Sequence, residues 1–178
     1  MAVRNIVVNA FPKHGTHAAL KACWLLGTNP YLGHFPHKAG LPEDTTHHVF
    51  IKRDPRDALL SSVRAQGHPM TQGMFIRLFR RFEHAHLVEE LSAFTPWLSD
   101  ANTLVLKYED LIASDGELHR LASYLGEPYL DDAFANLPGH TITWRIPHVD
   151  YRTLWTPQVE EIWNAEGGTQ LLKDWGYG

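Results

Sequence analysis

Residues 6–26 read IVVNAFPKHGTHAALKACWLL: an apolar run, a turn that holds Pro12, Lys13 and Gly15, then an alanine-rich run. The continuous apolar character of residues 3–10 predicts a buried strand. Residues 16–26 predict a helix, with Ala18, Ala19, Ala22 and the leucines as formers. A strand leading straight into a helix through a short turn is half of a βαβ unit, and the pattern recurs. Residues 47–52, HHVFIK, predict a second clear strand. DPRDALLSSVRAQG follows at once, with Asp54 as N-cap, Pro55 at the first helical position and Gly67 to close the helix. Residues 103–108, TLVLKY, predict a third strand. SDGELHRLASYLG then predicts a helix opened by a capping box of Ser114 with Glu117 and closed by Gly126.

The remaining segments fit around these units. Residues 28–46 carry three prolines and read as a loop with a short strand around Tyr31–Gly33. Residues 72–93 place Phe75, Leu78, Phe79, Phe82 and Ala85 or His86 on one face of an amphipathic helix. Arg77, Arg80, Arg81 and Glu83 mark its wet side. Near the end, Thr156 and Pro157 start another helix. Alternating strands and helices predict an α/β fold with a parallel sheet flanked by helices, as a single domain over residues 1–178. In such sheets ligands bind at the carboxyl ends of the strands, at the switch point. The turn at residues 11–15 and the segment KRDPRD both fall at such ends.

Composition sets the outer limits. The chain has 178 residues, with 16 Lys and Arg against 20 Asp and Glu, for a net charge of −4. That balance argues against a general nucleic-acid binder. A single cysteine, Cys23, excludes a disulfide within the chain and reads as core packing rather than as a nucleophile. No apolar run approaches the ~20 residues that span a bilayer. MAVRNIVVNAF is too short and too strand-like for a signal peptide, so a cytoplasmic protein with no membrane partner is expected. The twelve histidines are scattered, and no spacing frames a metal site.

The turn after the first strand has the parts of an anion site; the competing reading is a tight strand–helix turn with a surface lysine. A helix N-terminus offers unpaired N–H groups and the positive end of the helix dipole. Gly15 lets a ligand approach the backbone, Lys13 adds a full charge and Thr16 a hydroxyl donor. His14 and His17, when charged, add to the attraction. The common phosphate loop is G-x-x-x-x-G-K-[ST], whereas here Lys13 precedes Gly15. Arg53 ends the second strand, and Ser61 lies eight residues on, about 12 Å along a helix axis. Arg suits bidentate binding of a phosphate. The competing assignment pairs Arg53 with Asp54 or Asp57.

FPKHGTH and IKRDPRDALLSS together resemble two motifs of the sulfotransferases that use 3′-phosphoadenosine 5′-phosphosulfate (PAPS). The first is similar to that family's phosphosulfate loop, P-K-S-G-T-T, and the second to its 3′-phosphate motif, R-[DN]-P-R-D with a Ser downstream. LVLKYEDLIAS is similar to the family's R-Y-E-D-L segment. TWRIPHVDYRTLWTPQ and WGY resemble its closing patterns more faintly, and the matches run in family order. The resemblance implies a phosphate-loop-like fold and an EC 2.8.2-type transfer of a sulfuryl group. The acceptor is a hydroxyl or amine on a small molecule or glycan; no metal takes part, and the product is 3′,5′-adenosine bisphosphate.

Carried over, Lys13 touches the bridging oxygen and the 5′-phosphate, which the amides from His14 through Gly15 and Thr16 to His17 wrap, with the Thr16 hydroxyl. Arg53 and Ser61 hold the 3′-phosphate, joined by Arg145 at the position of the Arg in R-K-G. Tyr108 borders the nucleotide. The family's base often stands as H-x-P; GHFPHKAG makes His34 the first candidate and His37 the second. His47 and His48, within a strand, read as structural. The chain departs from the pattern at His14 for Ser, His17 for Thr, Ala18 for an adenine-stacking Trp, and RIP for R-K-G. Residues 28–46 are compressed where relatives build much of the acceptor pocket. Trp144, Tyr151 and Trp155 are aromatic candidates for lining it, against core packing. Two other readings stand beside this one: a nucleotide-binding module of the same fold without turnover, and a Mg²⁺-dependent nucleotide kinase.

Overall fold

The computed structural model describes residues 5–65, 71–79, 86–138 and 150–178. Four parallel strands, β1 (Ile6–Asn9), β2 (Tyr31–Gly33), β3 (His47–Lys52) and β4 (Thr103–Lys107), lie in the order β2-β1-β3-β4. Helix α1 (Thr16–Leu25) links β1 to β2 on one side. After β3 the chain runs through α2 (Pro55–Ala65), α3 (Gln72–Phe79) and α4 (Leu87–Ser92) to β4 on the other. Among the described residues, helices α5 (Tyr108–Ala113), α6 (Gly116–Leu125), α7 (Ala133–Asn136), α8 (Pro157–Ala165) and α9 (Gly168–Trp175) follow β4. The expected α/β class is what forms.

Both faces of the sheet are covered, which is why the strands read as unbroken apolar runs. Ile6, Val8, Ala10, Val49, Ile51 and Leu106 pack with α1, α5 and α6 on one face. Phe50 points the opposite way, into a cluster with residues of α2, α4, α8 and α9 that holds Trp97, Trp163 and Trp175. Cys23 is fully buried, and burial pushes its thiol up to about 12, so it packs and does not react.

Local signals that depend on near neighbours hold. Asp54 accepts from the Arg56 amide at 2.9 Å and Pro55 opens α2, a cap worth about 1 kcal/mol. Thr156 caps α8, with Pro157 at its first position. Gly126 closes α6 in the left-handed conformation.

Two expectations need correction. The capping box of Ser114 and Glu117 does not form: Asp115 precedes α6, and the Glu117 carboxylate accepts from Arg120 at 2.6 Å instead. Residues 72–93 are not one continuous helix, since His86 stands outside α4 at its N-terminus, with φ −112. The apolar phase explains the restart. A stripe through Phe75 and Phe79 would continue to Glu89 and Glu90, whereas the apolar residues there, Leu87, Val88 and Leu91, are the buried ones. Arg80, Arg81, Phe82, Glu83 and Ala85 lie outside the described residues, as does Gly67.

Candidate functional site

Sheet register decides which residues meet at the carboxyl edge. Chains leave β1 and β3 in opposite directions, so the switch point lies between these neighbours. Asn9 pairs with Gly33, and the next residues, Ala10 and His34, therefore face each other just past the strands. Lys52 pairs with Lys107, which sets Arg53 opposite Tyr108 in the same way. The side chains then close both pairs: His34 Nδ1 lies 2.6 Å from the Ala10 carbonyl, and the Arg53 guanidinium lies 4.6 Å from the centre of the Tyr108 ring.

The turn between β1 and α1 is held in a costly shape. Lys13 has φ 69, the left-handed region that non-glycine residues enter at a cost of roughly 1–3 kcal/mol. Its side chain is exposed. Gly15, at φ 98, precedes α1, and a Cβ there would overlap the Tyr108 ring. The Tyr108 ring thus packs against both Gly15 and Arg53, and Arg53 also donates to the Lys13 carbonyl at 3.4 Å. Arg53 is half-buried, and its guanidinium carries N–H donors beyond the one given to the Lys13 carbonyl, which leaves donor capacity for an anion.

Gly15→Ala therefore carries two penalties: a strained φ and displacement of Tyr108 together with the Arg53 stacked on it. The expected loss is about 2 kcal/mol or more of stability, read as a lower urea midpoint at unchanged slope. An unchanged midpoint would contradict this packing.

Not every loop residue keeps the role expected of it. The His14 amide is spent inside the turn, donating to Phe11 O at 3.2 Å, which leaves those of Gly15, Thr16 and His17 at the start of α1. The His14 side chain is 1% exposed, between Phe11 and Trp175, and burial lowers its pKa to about 4. It is neutral at neutral pH and adds no charge to the loop, contrary to the sequence expectation. His17 is exposed in the first turn of α1, and Thr16 is buried.

His34 is the better anchored of the two base candidates. A carbonyl only accepts, so the 2.6 Å contact fixes the proton on Nδ1 and leaves Nε2 as an acceptor. The next residue is clamped: the buried Asn9 side chain accepts from Phe35 N at 2.8 Å and donates to Phe35 O at 2.9 Å. Trp97 Nε1 donates to the same carbonyl at 2.7 Å. His37 is exposed, just before a short turn at Lys38–Gly40. Asn9 escaped the sequence reading, although a polar residue inside IVVNAF was its signal.

Arg53 is free of Asp54 because Arg56 takes that carboxylate with two contacts, at 2.7 and 3.0 Å. Asp54 N–H donates to Glu109 Oε1 at 2.9 Å, and Tyr177 donates to Glu109 Oε2 at 2.8 Å. Burial, with Glu109 adjacent, drives the Tyr177 hydroxyl far up in pKa, so it remains a donor. Lys52 Nζ donates to Trp175 O at 2.7 Å. The C-terminal residues thus tie the ends of β3 and β4 together beneath Arg53, which the sequence reading saw only as an echo in WGY. Ser61 sits half-buried on α2, beyond Arg53. Tyr151 and Trp155 pack with Arg56, Phe75 and Trp163 in the second core cluster, which answers their choice in favour of packing. Trp144 and Arg145 lie outside the described residues.

His48 is structural, as expected within a strand: Nδ1 contacts Thr103 Oγ1 at 2.7 Å, the ring lies 4.2 Å from that of Trp97, and burial lowers its pKa to about 4. His14 and His48 give a signed pH dependence. In the unfolded chain each takes a proton near pH 6.5, in the folded chain only near 4. Between those values the unfolded state binds more protons, so stability is full above about pH 6.5 and falls as pH drops toward 4. The loss is on the order of 3 kcal/mol per histidine at most. Urea melts at pH 7, 6 and 5 check this; a flat midpoint over that range would contradict it.

No protein-family model matches the chain, and neither does any curated protein sequence. Solved structures do. The crystal structure of mouse sulfotransferase SULT7A1 complexed with PAP superposes with a TM-score of 0.68 at 14% identity, over 96% of this chain and 83% of that one. The chain therefore has the sulfotransferase fold. Among the described residues no helix is long and apolar enough to cross a membrane, and no group of three or more His, Cys, Asp and Glu is arranged to hold a metal ion.

Proposed function

We propose that this chain is a PAPS-dependent sulfotransferase that moves a sulfuryl group to an acceptor hydroxyl or amine. The observation that carries the reading is the pairing at the switch point. Lys13 is held in a strained turn ahead of open helix amides, and Arg53, which donates to the Lys13 carbonyl, lies on Tyr108 beside it. Two cationic residues brought together at one switch point fit a nucleotide that is anionic at two ends. The PAP-bound mouse structure, which shares the fold, supports the same ligand class.

Bound there, PAPS supplies an activated sulfuryl group whose leaving group is a phosphate. Lys13 and the amides of Gly15, Thr16 and His17 stabilise the negative charge that grows on that leaving group. Arg53, with Ser61 and Arg145, holds the 3′-phosphate. Tyr108 keeps Arg53 and the loop at a fixed spacing. His34 Nε2 takes the acceptor's proton, and Asn9 keeps that ring in place by clamping Phe35. His37 is the second candidate for the base. A Mg²⁺-dependent kinase would instead need Lys-[ST] directly after the glycine, where this chain has Thr16 and His17.

The test is acceptor-dependent release of 3′,5′-adenosine bisphosphate from PAPS, followed chromatographically with EDTA present. Phenols, aliphatic alcohols, amines and sugars serve as acceptors. Release that tracks an acceptor supports the enzyme. Nucleotide binding without release for every acceptor class leaves a binding module of the same fold.

A further inference from the structure

Tyr177 reaches the ends of β3 and β4 because of how α9 stops. Gly176 takes the left-handed conformation at φ 75; its amide donates to Lys173 O at 3.0 Å, and the Tyr177 amide donates to Leu172 O at 2.8 Å. This pair of hydrogen bonds turns the chain off the helix axis and fixes where the next side chain goes. The Tyr177 ring then meets both members of one register pair. The ammonium groups of Lys52 and Lys107 lie 5.6 and 5.2 Å from its centre, within reach of a cation–π attraction. These two lysines directly precede Arg53 and Tyr108.

The residues that directly follow Arg53 and Tyr108 are joined as well, through one carboxylate. Glu109 Oε1 accepts from the Asp54 amide at 2.9 Å, and Glu109 Oε2 accepts from the Tyr177 hydroxyl at 2.8 Å. The Asp54 amide belongs to the planar peptide that leaves Arg53. Its bond to Glu109 therefore fixes the orientation of that peptide, and with it the direction in which the Arg53 side chain departs. The phenol holds the carboxylate in place by a charge-assisted hydrogen bond. Arg56 closes the loop: it donates to Tyr177 O at 3.4 Å and holds the Asp54 carboxylate.

We infer that Tyr177, acting through Glu109, is a positioning residue that aims the Arg53 guanidinium at the 3′-phosphate and so sets the preference for a nucleotide that carries one. The inference rests on the reading of Arg53 as the holder of that phosphate. The Tyr177 hydroxyl is spent on Glu109, so its effect on the ligand passes through Arg53.

The test is calorimetric titration of the full chain with 3′,5′-adenosine bisphosphate and with 5′-AMP, which lacks only the 3′-phosphate, in the wild type, Tyr177→Phe, Glu109→Ala, Glu109→Gln and Arg53→Ala. Tyr177→Phe keeps the ring against Lys52 and Lys107 and removes only the hydroxyl. Its preference for the bisphosphate over 5′-AMP is expected to fall about tenfold, the worth of a hydrogen bond to a charged group, with 5′-AMP affinity unchanged. Glu109→Ala is expected to lose at least as much. Glu109→Gln is expected to keep most of the preference, because its amide oxygen still accepts from Asp54 N–H and its NH₂ donates to the Tyr177 oxygen. A general loosening of the fold would weaken both nucleotides alike; that result in Tyr177→Phe, or an unchanged preference there, overturns the inference. If the preference is lost in Arg53→Ala but kept in Tyr177→Phe, the positioning role fails and the reading of Arg53 stands. A wild type that binds both nucleotides equally, or neither, overturns the reading of Arg53 and this inference with it.

Discussion

Lys13→Gly is expected to leave the protein at least as stable as its parent while cutting sulfuryl transfer by a hundredfold or more. The two halves of this result have different causes. At φ 69 a lysine is strained and a glycine is not. Relief of roughly 1–3 kcal/mol of strain offsets the roughly 0.5–1 kcal/mol that glycine adds to the entropy cost of folding. The exposed Lys13 side chain leaves no core contact to lose. On the functional side, removing one preorganised group from the growing charge of a leaving group costs about 10²–10³ in rate. On the proposed function, lysine stands where glycine is easier because its ammonium is used. Urea melts and PAPS turnover measured side by side decide this; a Lys13→Gly protein with parental turnover would remove Lys13 from the mechanism.

His34→Ala is expected to reduce turnover by about 10²–10⁴, the usual worth of a positioned general base, with affinity for 3′,5′-adenosine bisphosphate unchanged. The side chain is exposed and gives up one hydrogen bond, to the Ala10 carbonyl, so folding is little affected. Asn9→Ala is a milder version of the same experiment, since it removes two of the three hydrogen bonds that hold Phe35, leaving the one from Trp97, and loosens the imidazole beside it. Pre-steady-state bursts separate the chemical step from product release. Full activity in His34→Ala passes the role of base to His37.

Much of this was legible in the chain itself. The strand at His47–Lys52, the Asp54-Pro55 and Thr156-Pro157 helix starts and the three-residue strand at Tyr31 depend on neighbours a few positions away, and there the pattern of residues is enough; the strands expected over 3–10 and 103–108 form as Ile6–Asn9 and Thr103–Lys107. The same locality explains the failures. Ser114 and Glu117 have the spacing of a capping box, but Arg120 competes for the carboxylate from one turn further on. His14 looked like a cation beside an anion site until Phe11 and Trp175 closed around it. Asn9 with Phe35, and Glu109 with Tyr177, are 26 and 68 residues apart. No periodicity reports such pairs. Only the sheet register and the returning C-terminus bring them together.

The central claim is that the crevice between β1 and β3 binds a nucleotide phosphorylated at both its 5′ and 3′ positions. Calorimetric titration with 3′,5′-adenosine bisphosphate, and with ATP in the presence and absence of Mg²⁺, tests it most directly, in the wild type and in Arg53→Ala. The expected result is metal-independent preference for the bisphosphate, weakened about 10- to 100-fold in Arg53→Ala by loss of a charge-assisted contact. Preference for Mg²⁺–ATP, or no binding of either nucleotide, contradicts it.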